Sequence, residues 1–280
     1  MNESIYVVAV PYAGLYNKPD KDWDLHEANL LETEVLHGER IEVIENDGEW
    51  AKVRALLDNY PGFVRMKDLV PECERHPTTH LVNVPQVALY TGCTFKSTLS
   101  EESLTLPMNA RVHAQSTFQT PEGNMLCLEG LGWVFEDEMR PIDTYEPDFV
   151  AVAKKLLGAR YKWGARSGVL LDCSAHLQAA CIAAGRDCPR NVGQQVELGE
   201  PVDFARDFSN LVRGDLVFWT HGKGRHIAIM DDPVNAQHVT IAAPYRGGVL
   251  QPLAGIIADQ ARDGNGPVTA VRRFADYHPA

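Results

Sequence analysis

Along the first 140 or so residues, apolar and polar side chains alternate in short runs. Arg40-Ile41-Glu42-Val43-Ile44 and Trp50-Ala51-Lys52-Val53-Arg54 alternate with period two, the pattern of strands with one buried face. Asn46-Asp47-Gly48 lies between them and is a hairpin turn signal. The pattern then repeats. Val8-Ala9-Val10-Pro11 followed by Leu15-Tyr16 returns as Val82-Asn83-Val84-Pro85 followed by Leu89-Tyr90, an offset of 74 residues. Gly62-Phe63-Val64 returns as Gly132-Trp133-Val134, and Pro71 as Pro141, at an offset of 70. Two copies of a unit of roughly 65 residues, each with about five short strands, predict two small β-barrels.

After Pro141 to Pro147, which reads as a linker, the period changes. Asp148 can cap a helix whose apolar face is Phe149, Val150, Ala153, Leu156 and Leu157, with Gly158 as its stop. A second helical stripe, Leu177, Ala180, Cys181 and Ala184, follows Cys173 and ends at Gly185 in a C′ position. Leu216-Val217-Phe218, Ile227-Ala228-Ile229 and Val239-Thr240-Ile241 read as strands of an antiparallel sheet. Helices first and sheet after is an α+β order. The predicted domains are residues 1–72, 78–142 and 146–280, and the tail from Arg262 carries no readable pattern.

The formal net charge of −12 argues against nucleic acid or another polyanion as partner. Met1 to Val10 has no basic segment leading into a long apolar core, and no stretch of eighteen apolar residues occurs. The expectation is a chain without signal peptide or membrane span, located in the cytoplasm. The six cysteines, Cys73, Cys93, Cys127, Cys173, Cys181 and Cys188, include no CxxC pair, so a zinc ribbon is not expected. Their scattered spacing fits free thiols in a reducing compartment. Cys181 reads as a small buried apolar residue and Cys188 precedes Pro189 in a turn.

Cys173 stands apart. It lies in Asp172-Cys173-Ser174-Ala175-His176, behind Tyr161-Lys162-Trp163-Gly164. Further on come Gly214-Asp215-Leu216-Val217-Phe218-Trp219 and Arg225-His226-Ile227-Ala228-Ile229. A cysteine that opens a helix and a histidine that opens a strand are how a thiol nucleophile and its base are presented. A free thiol has a pKa of roughly 8.5, and a helix N-terminus with a neighbouring imidazolium lowers it. A cysteine between Asp and Ser is by itself more often structural; its surroundings make Cys173 the candidate nucleophile and His226 the candidate base. His221 is a nearby competitor on a glycine-containing loop, and His176 reads as a packing residue of the cysteine's own helix.

Taken in order from Asp148 to Val249, these motifs resemble the NlpC-type cell-wall cysteine peptidases, a compact branch of the papain-like fold. The resemblance implies that Cys173 forms an acyl-thioester while His226 takes the thiol proton and returns it to the leaving amine. In that family a polar residue on the next strand, often histidine, orients the base. Here two positions compete. His238 lies twelve residues after His226, whereas Ile241-Ala242-Ala243-Pro244 leading to Gly247-Gly248-Val249 puts Ala242 in that slot. Four strand residues separate the two by ~13 Å, so only one can be near His226. The resemblance also assigns Asp172 to a substrate amine, Ser174 to substrate contact and Tyr161 to the oxyanion, with helix-start N–H groups as further donors. It implies no metal and no cofactor.

Gly38-Glu39, Trp50 and the two Gly-aromatic-Val closures resemble bacterial SH3-like domains. Paired units of this kind ahead of such a catalytic domain resemble the branch that cuts after γ-D-glutamate in short murein peptides. In that branch the first unit walls the cleft and reads a free N-terminal L-alanine with a tyrosine and a carboxylate. Tyr60 matches the tyrosine, and Glu27 or Glu32 the carboxylate. The implied function is a γ-D-glutamyl-diamino acid endopeptidase acting on a murein peptide, in recycling if the chain is cytoplasmic. Two other readings stay open: another thiol amidase or acyltransferase on the same fold, or a wall-binding protein whose catalytic domain has decayed.

Overall fold

The computed structural model describes residues 4–19, 31–94, 105–222, 224–234, 238–264 and 266–278. The chain forms two compact units, Met1–Tyr145 with Trp163–Val169, and Glu146–Lys162 with Leu170–Ala280.

In the first unit, β1 (Ile5–Val8), β2 (Tyr12–Tyr16), β3 (Leu31–Leu36), β4 (Arg40–Asn46), β5 (Trp50–Ala55), β6 (Pro61–Arg65) and β7 (Leu69–Pro71) make one sheet in the order β3-β2-β6-β5-β4-β1-β7. The predicted β4–β5 hairpin is held by Asp47, whose Oδ1 accepts the N–H groups of Glu49 at 3.1 Å and Trp50 at 2.8 Å. The period-two runs bury Ile41, Val43, Ala51 and Val53 with Val8, Leu15, Val35 and Val64 in one core.

The sequence repeat is also a repeat of connectivity. The second copy contains β8 (His80–Val82), β9 (Gln86–Ala88), β10 (Thr105–Pro107), β11 (Arg111–Val112), β12 (Ala114–Thr120), β13 (Gly123–Leu128), β14 (Gly132–Phe135) and β15 (Met139–Pro141). β8 pairs with β11 and β15 as β1 pairs with β4 and β7. β9 pairs with β10 as β2 pairs with β3. β12, β13 and β14 pair in series as β4, β5 and β6 do. A bridge between Tyr90 and Trp133 stands where β2 meets β6 through Tyr16 and Phe63. This copy has its own core, built on Val82, Val87, Leu89, Leu106, Leu126 and Val134.

Trp163–Val169, expected within residues 146–280, packs with the first unit instead. Gly168 has φ +81°, and a Cβ there would lie 2.0 Å from the Pro85 carbonyl oxygen, so only glycine fits. Arg166 is buried. Its Nη1 and Nη2 donate to Glu39 Oε2 at 3.1 Å and Oε1 at 2.9 Å, and Nη1 also donates to the Glu34 carbonyl at 2.9 Å. Its backbone N–H donates to Glu34 Oε2 at 2.7 Å. The glutamate of the Gly38-Glu39 motif is therefore an ion-pair partner inside the fold.

The second unit comprises α1 (Phe149–Lys155), β16 (Arg160–Tyr161), β17 (Leu170–Leu171), α2 (Cys173–Ala183), α3 (Val192–Gln195), β18 (Glu200–Pro201), β19 (Leu216–His221), β20 (Gly224–Asp232), β21 (His238–Ala243), β22 (Gly247–Pro252), α4 (Leu253–Arg262) and β23 (Val268–Arg273). Its six-stranded antiparallel sheet runs β18-β23-β19-β20-β21-β22, an α+β arrangement. Asp148 caps α1 through bonds from the N–H groups of Val150 and Ala151, and Gly185, at φ +70°, ends α2. α2 packs on α1, β20 and β21 and is buried on nearly every side, not along one stripe. The tail from Arg262, which showed no pattern, supplies an inner strand: β23 pairs with both β18 and β19. Arg273 secures it by donating from Nε and Nη2 to the two oxygens of fully buried Asp215, at 2.6 and 2.8 Å. Among the described residues no helix is long and apolar enough to cross a membrane.

Breaking the Arg166–Glu39 pair from one side leaves carboxylates buried without their cation. Arg166→Ala is expected to cost about 3–5 kcal/mol, whereas Arg40→Ala, which opens only the exposed pair with Glu72, should cost within about 1 kcal/mol. Urea titration of both variants checks this; equal midpoints would show that the buried pair contributes nothing.

Candidate active site

Cys173 is the first residue of α2 and is 6 % exposed. The backbone N–H groups of Ile227 and Ser174 lie near enough to its thiol to favour the thiolate. Ile227 follows His226 on β20, so the sheet brings the histidine's strand to the cysteine. His226 is 4 % exposed and stands directly across from Trp219 of β19, with ring centroids 5.0 Å apart.

The electrostatics differ from the expected depression of the thiol. Burial pushes Cys173 up to about 12, and the charge of Asp172 adds to the rise. The Ile227 N–H, Arg190 and the Ser174 N–H offset part of it. At neutral pH the thiol is therefore protonated, and a base must remove its proton during attack. Tyr161 is placed by β16, which pairs in parallel with β17 so that Tyr161 lies across from Leu171, next to Asp172. Burial first, then the charges of Cys173 and Asp172, raise the Tyr161 phenol. It keeps its O–H and can donate to an oxyanion.

Asp172 and Ser174 are engaged inside the protein. Arg190 Nη1 and Nη2 donate to Asp172 Oδ1 at 3.0 Å and Oδ2 at 2.6 Å, and Nη1 also donates to Ser174 Oγ at 2.6 Å. Ser174 Oγ donates to Asp172 Oδ1 at 3.0 Å, and Asp172 caps α2 by accepting the Ala175 N–H at 2.8 Å. Burial by itself would raise the Asp172 carboxyl; Arg190, then the Ala175 N–H and Ser174, hold it below the usual range. The Arg190 loop is held in turn. Gln178 Nε2 donates to the Cys188 carbonyl at 3.1 Å, and Gln195 Nε2 donates to the Pro189 carbonyl at 2.8 Å and the Ser174 carbonyl at 3.0 Å. Sequence reasoning passed over Arg190 and Gln195, because single polar residues carry no periodic signal.

His238 pairs with Asp232, six residues beyond His226 on β20, which is ~20 Å along the strand. The strand therefore does not bring His238 to the candidate base. Ile229 pairs with Thr240, and this register continued toward the strand start sets Ala242 across from Ile227. The same register sets Ala243 across from His226, so the directly facing position on β21 holds a residue without a polar side chain, with Ala242 one position along. His221 ends β19 opposite Gly224. His176 is buried in α2, and burial lowers its pKa to about 4, with the Ala153 backbone offsetting part of that. It is a neutral packing residue. In the first unit, Tyr60 Oη donates to Glu32 Oε2 at 3.1 Å. Glu27, the other carboxylate considered, lies outside the described residues. Among the described residues no group of three or more His, Cys, Asp or Glu side chains is arranged to hold a metal ion.

His226→Ala should lose most thiol-dependent turnover and His238→Ala little, as initial rates would show; equal losses would mean that His238 acts at the site despite the register. Alkylation of Cys173 by iodoacetamide should accelerate with pH up to pH 9 and beyond without a plateau, because its thiolate fraction keeps rising below a pKa of about 12. Cys73 is an exposed free thiol, so the rate must be read on the Cys173 peptide by mass spectrometry. A plateau near neutral pH would show a preformed thiolate.

Residues 15–69 match the model of the bacterial dipeptidyl-peptidase SH3 domain, and residues 158–249 match that of the NlpC/P60 family. The chain is 29% identical over 237 residues to a γ-D-glutamyl-L-lysine dipeptidyl-peptidase of Bacillus cereus, covering 78% of this chain and 70% of that protein. It is 26% identical over 209 residues to a protein of the same name from Bacillus subtilis, covering 70% of this chain and 67% of that one. A crystal structure of an NlpC/P60 family protein from Bacillus cereus shares the fold, with a TM-score of 0.76 at 24% identity over 99% of this chain and 100% of the other.

Proposed function

We propose that this chain, which carries an NlpC/P60 cysteine peptidase domain at residues 158–249, hydrolyses the bond between γ-D-glutamate and the following diamino acid in short murein peptides with a free N-terminal L-alanine. The carrying observation is that α2, which Cys173 opens, packs on β20, the strand that holds His226. The names of the two Bacillus relatives support the bond that is cut.

Cys173 Sγ attacks the γ-glutamyl carbonyl carbon as His226 accepts the thiol proton. The tetrahedral oxyanion receives hydrogen bonds from the Tyr161 O–H and from N–H groups at the start of α2. Collapse breaks the C–N bond, and His226 gives its proton to the departing amine. Water, deprotonated by His226, then attacks the thioester and releases the γ-D-glutamyl acid with the thiol restored. Asp172, held by Arg190, keeps the start of α2 in place throughout.

A peptide with a free alanine amine has already left the glycan, so the activity belongs to recycling of fragments. The second reading, a wall-binding protein without turnover, is favoured only by the apolar position across from His226 on β21. Incubation with L-Ala-γ-D-Glu-diaminopimelate and with intact peptidoglycan separates them. Diaminopimelate should be released from the tripeptide and not from peptidoglycan, and the Cys173→Ala protein should release none while melting as the wild type does. Equal release from both substrates would remove the recycling role. Retention on peptidoglycan without release from either would leave the wall-binding reading.

A further inference from the structure

We infer that the pocket beside His226, between β20–β22 and α4, receives the leaving diamino acid, and that Arg246 reads the free α-carboxylate of that residue. The inference rests on the peptidase reading above and adds which stem peptides are accepted.

The chemistry fixes the side. The departing nitrogen takes its proton from His226, so the leaving residue must lie against the imidazole, away from the donors that hold the carbonyl oxygen. A pocket of about 160 Å³ has His226 in its wall, with Ile241, Ala243 and Ile256 as apolar surface and Arg246 and Asp259 as charged surface. Chain geometry explains this grouping. The Ile229–Thr240 register continued sets Ala243 across from His226, and Ala243 pairs with Gly247 across the turn that carries Arg246.

The charges define the ligand. Asp259 accepts from Arg246 Nη2 on Oδ2 at 2.9 Å and from Arg262 Nη2 on Oδ1 at 2.7 Å. Hydrogen bonds from Arg262 first, then the charges of both arginines, hold its carboxyl below the usual range, so it stays ionised. Each oxygen of Asp259 is thus taken by one arginine, while a guanidinium has five N–H donors in a planar fork. Asp259 aims the Arg246 fork, whose side chain is 49% exposed, and leaves donors for a second carboxylate. The apolar surface suits the methylene chain of a diamino acid. In a tripeptide that ends at the diamino acid, the α-carboxylate is free. In a longer stem it is an amide and offers no charge to Arg246.

The test compares L-Ala-γ-D-Glu-L-Lys with its C-terminal carboxamide, following release of lysine or lysinamide. Wild-type kcat/KM should favour the free acid by about tenfold or more, the range of a hydrogen bond to a charged group. In Arg246→Gln the acid-to-amide ratio should fall to near one through a higher KM for the acid, and Arg246→Lys should restore part of it. A wild-type ratio of one overturns the inference even if the variants fail to fold, and so does a ratio unchanged in a folded Arg246→Gln protein; the cleavage itself would still support the peptidase reading. Cleavage of neither substrate overturns that reading and the inference with it.

Discussion

The buried ion pair between Asp172 and Arg190 is the constraint on which the site depends. A carboxylate taken out of water is costly unless it is paired and hydrogen-bonded. Asp172 meets both conditions with the Arg190 fork, the Ser174 hydroxyl and the Ala175 N–H. It thereby fixes the first turn of α2, and Cys173 is the first residue of that helix. The arrangement has an electrostatic cost. The same carboxylate lies beside the thiol and, with burial, holds it protonated. Position and reactivity thus pull against each other: the group that places the nucleophile also makes proton removal the demanding part of the attack.

Arginine has a second structural task in the first unit. Arg166 sits on a segment that leaves β16 and returns to β17, the two short strands that hold Tyr161 and lead into Asp172. Its fork is matched to Glu39, and its backbone N–H to Glu34. Lysine could replace neither Arg166 at Glu39 nor Arg190 at Asp172 without losing the bidentate geometry.

Much of this was legible in the chain. Period-two alternation gave the β4–β5 hairpin, and the internal repeat gave two sets of strands with matching connectivity. Asp148 as a cap and Gly185 as a stop framed the helices because their physics is local. What escaped was set by distant contacts. Arg190, Gln195 and Arg166 are single polar residues whose partners lie elsewhere in the chain. In β23 the alternation is shallow, with Val271 alone fully buried, so the strand is defined by its neighbours β18 and β19. That His238 stands well along the strand from His226 needed the register, which shifts between Met230 and Asp232. Counting residues from His226 cannot see such a shift, because it adds length without advancing the strand.

That register has a mechanistic consequence. A hydrogen-bonding orienter does two jobs for a catalytic histidine: it aims the ring, and it selects which nitrogen carries the proton. Ala243, which the register sets across from His226, can do neither. Trp219, directly across from His226 and nearly fully buried, packs its ring against the imidazole and can do the first. A ring contact restrains rotation but is indifferent to the tautomer. Selection of the tautomer then falls to groups other than the β21 residue, in a site where the thiol already resists losing its proton. The balance of the two effects makes proton transfer, and not the placement of Cys173, the step at which this site departs furthest from a triad with a polar third member.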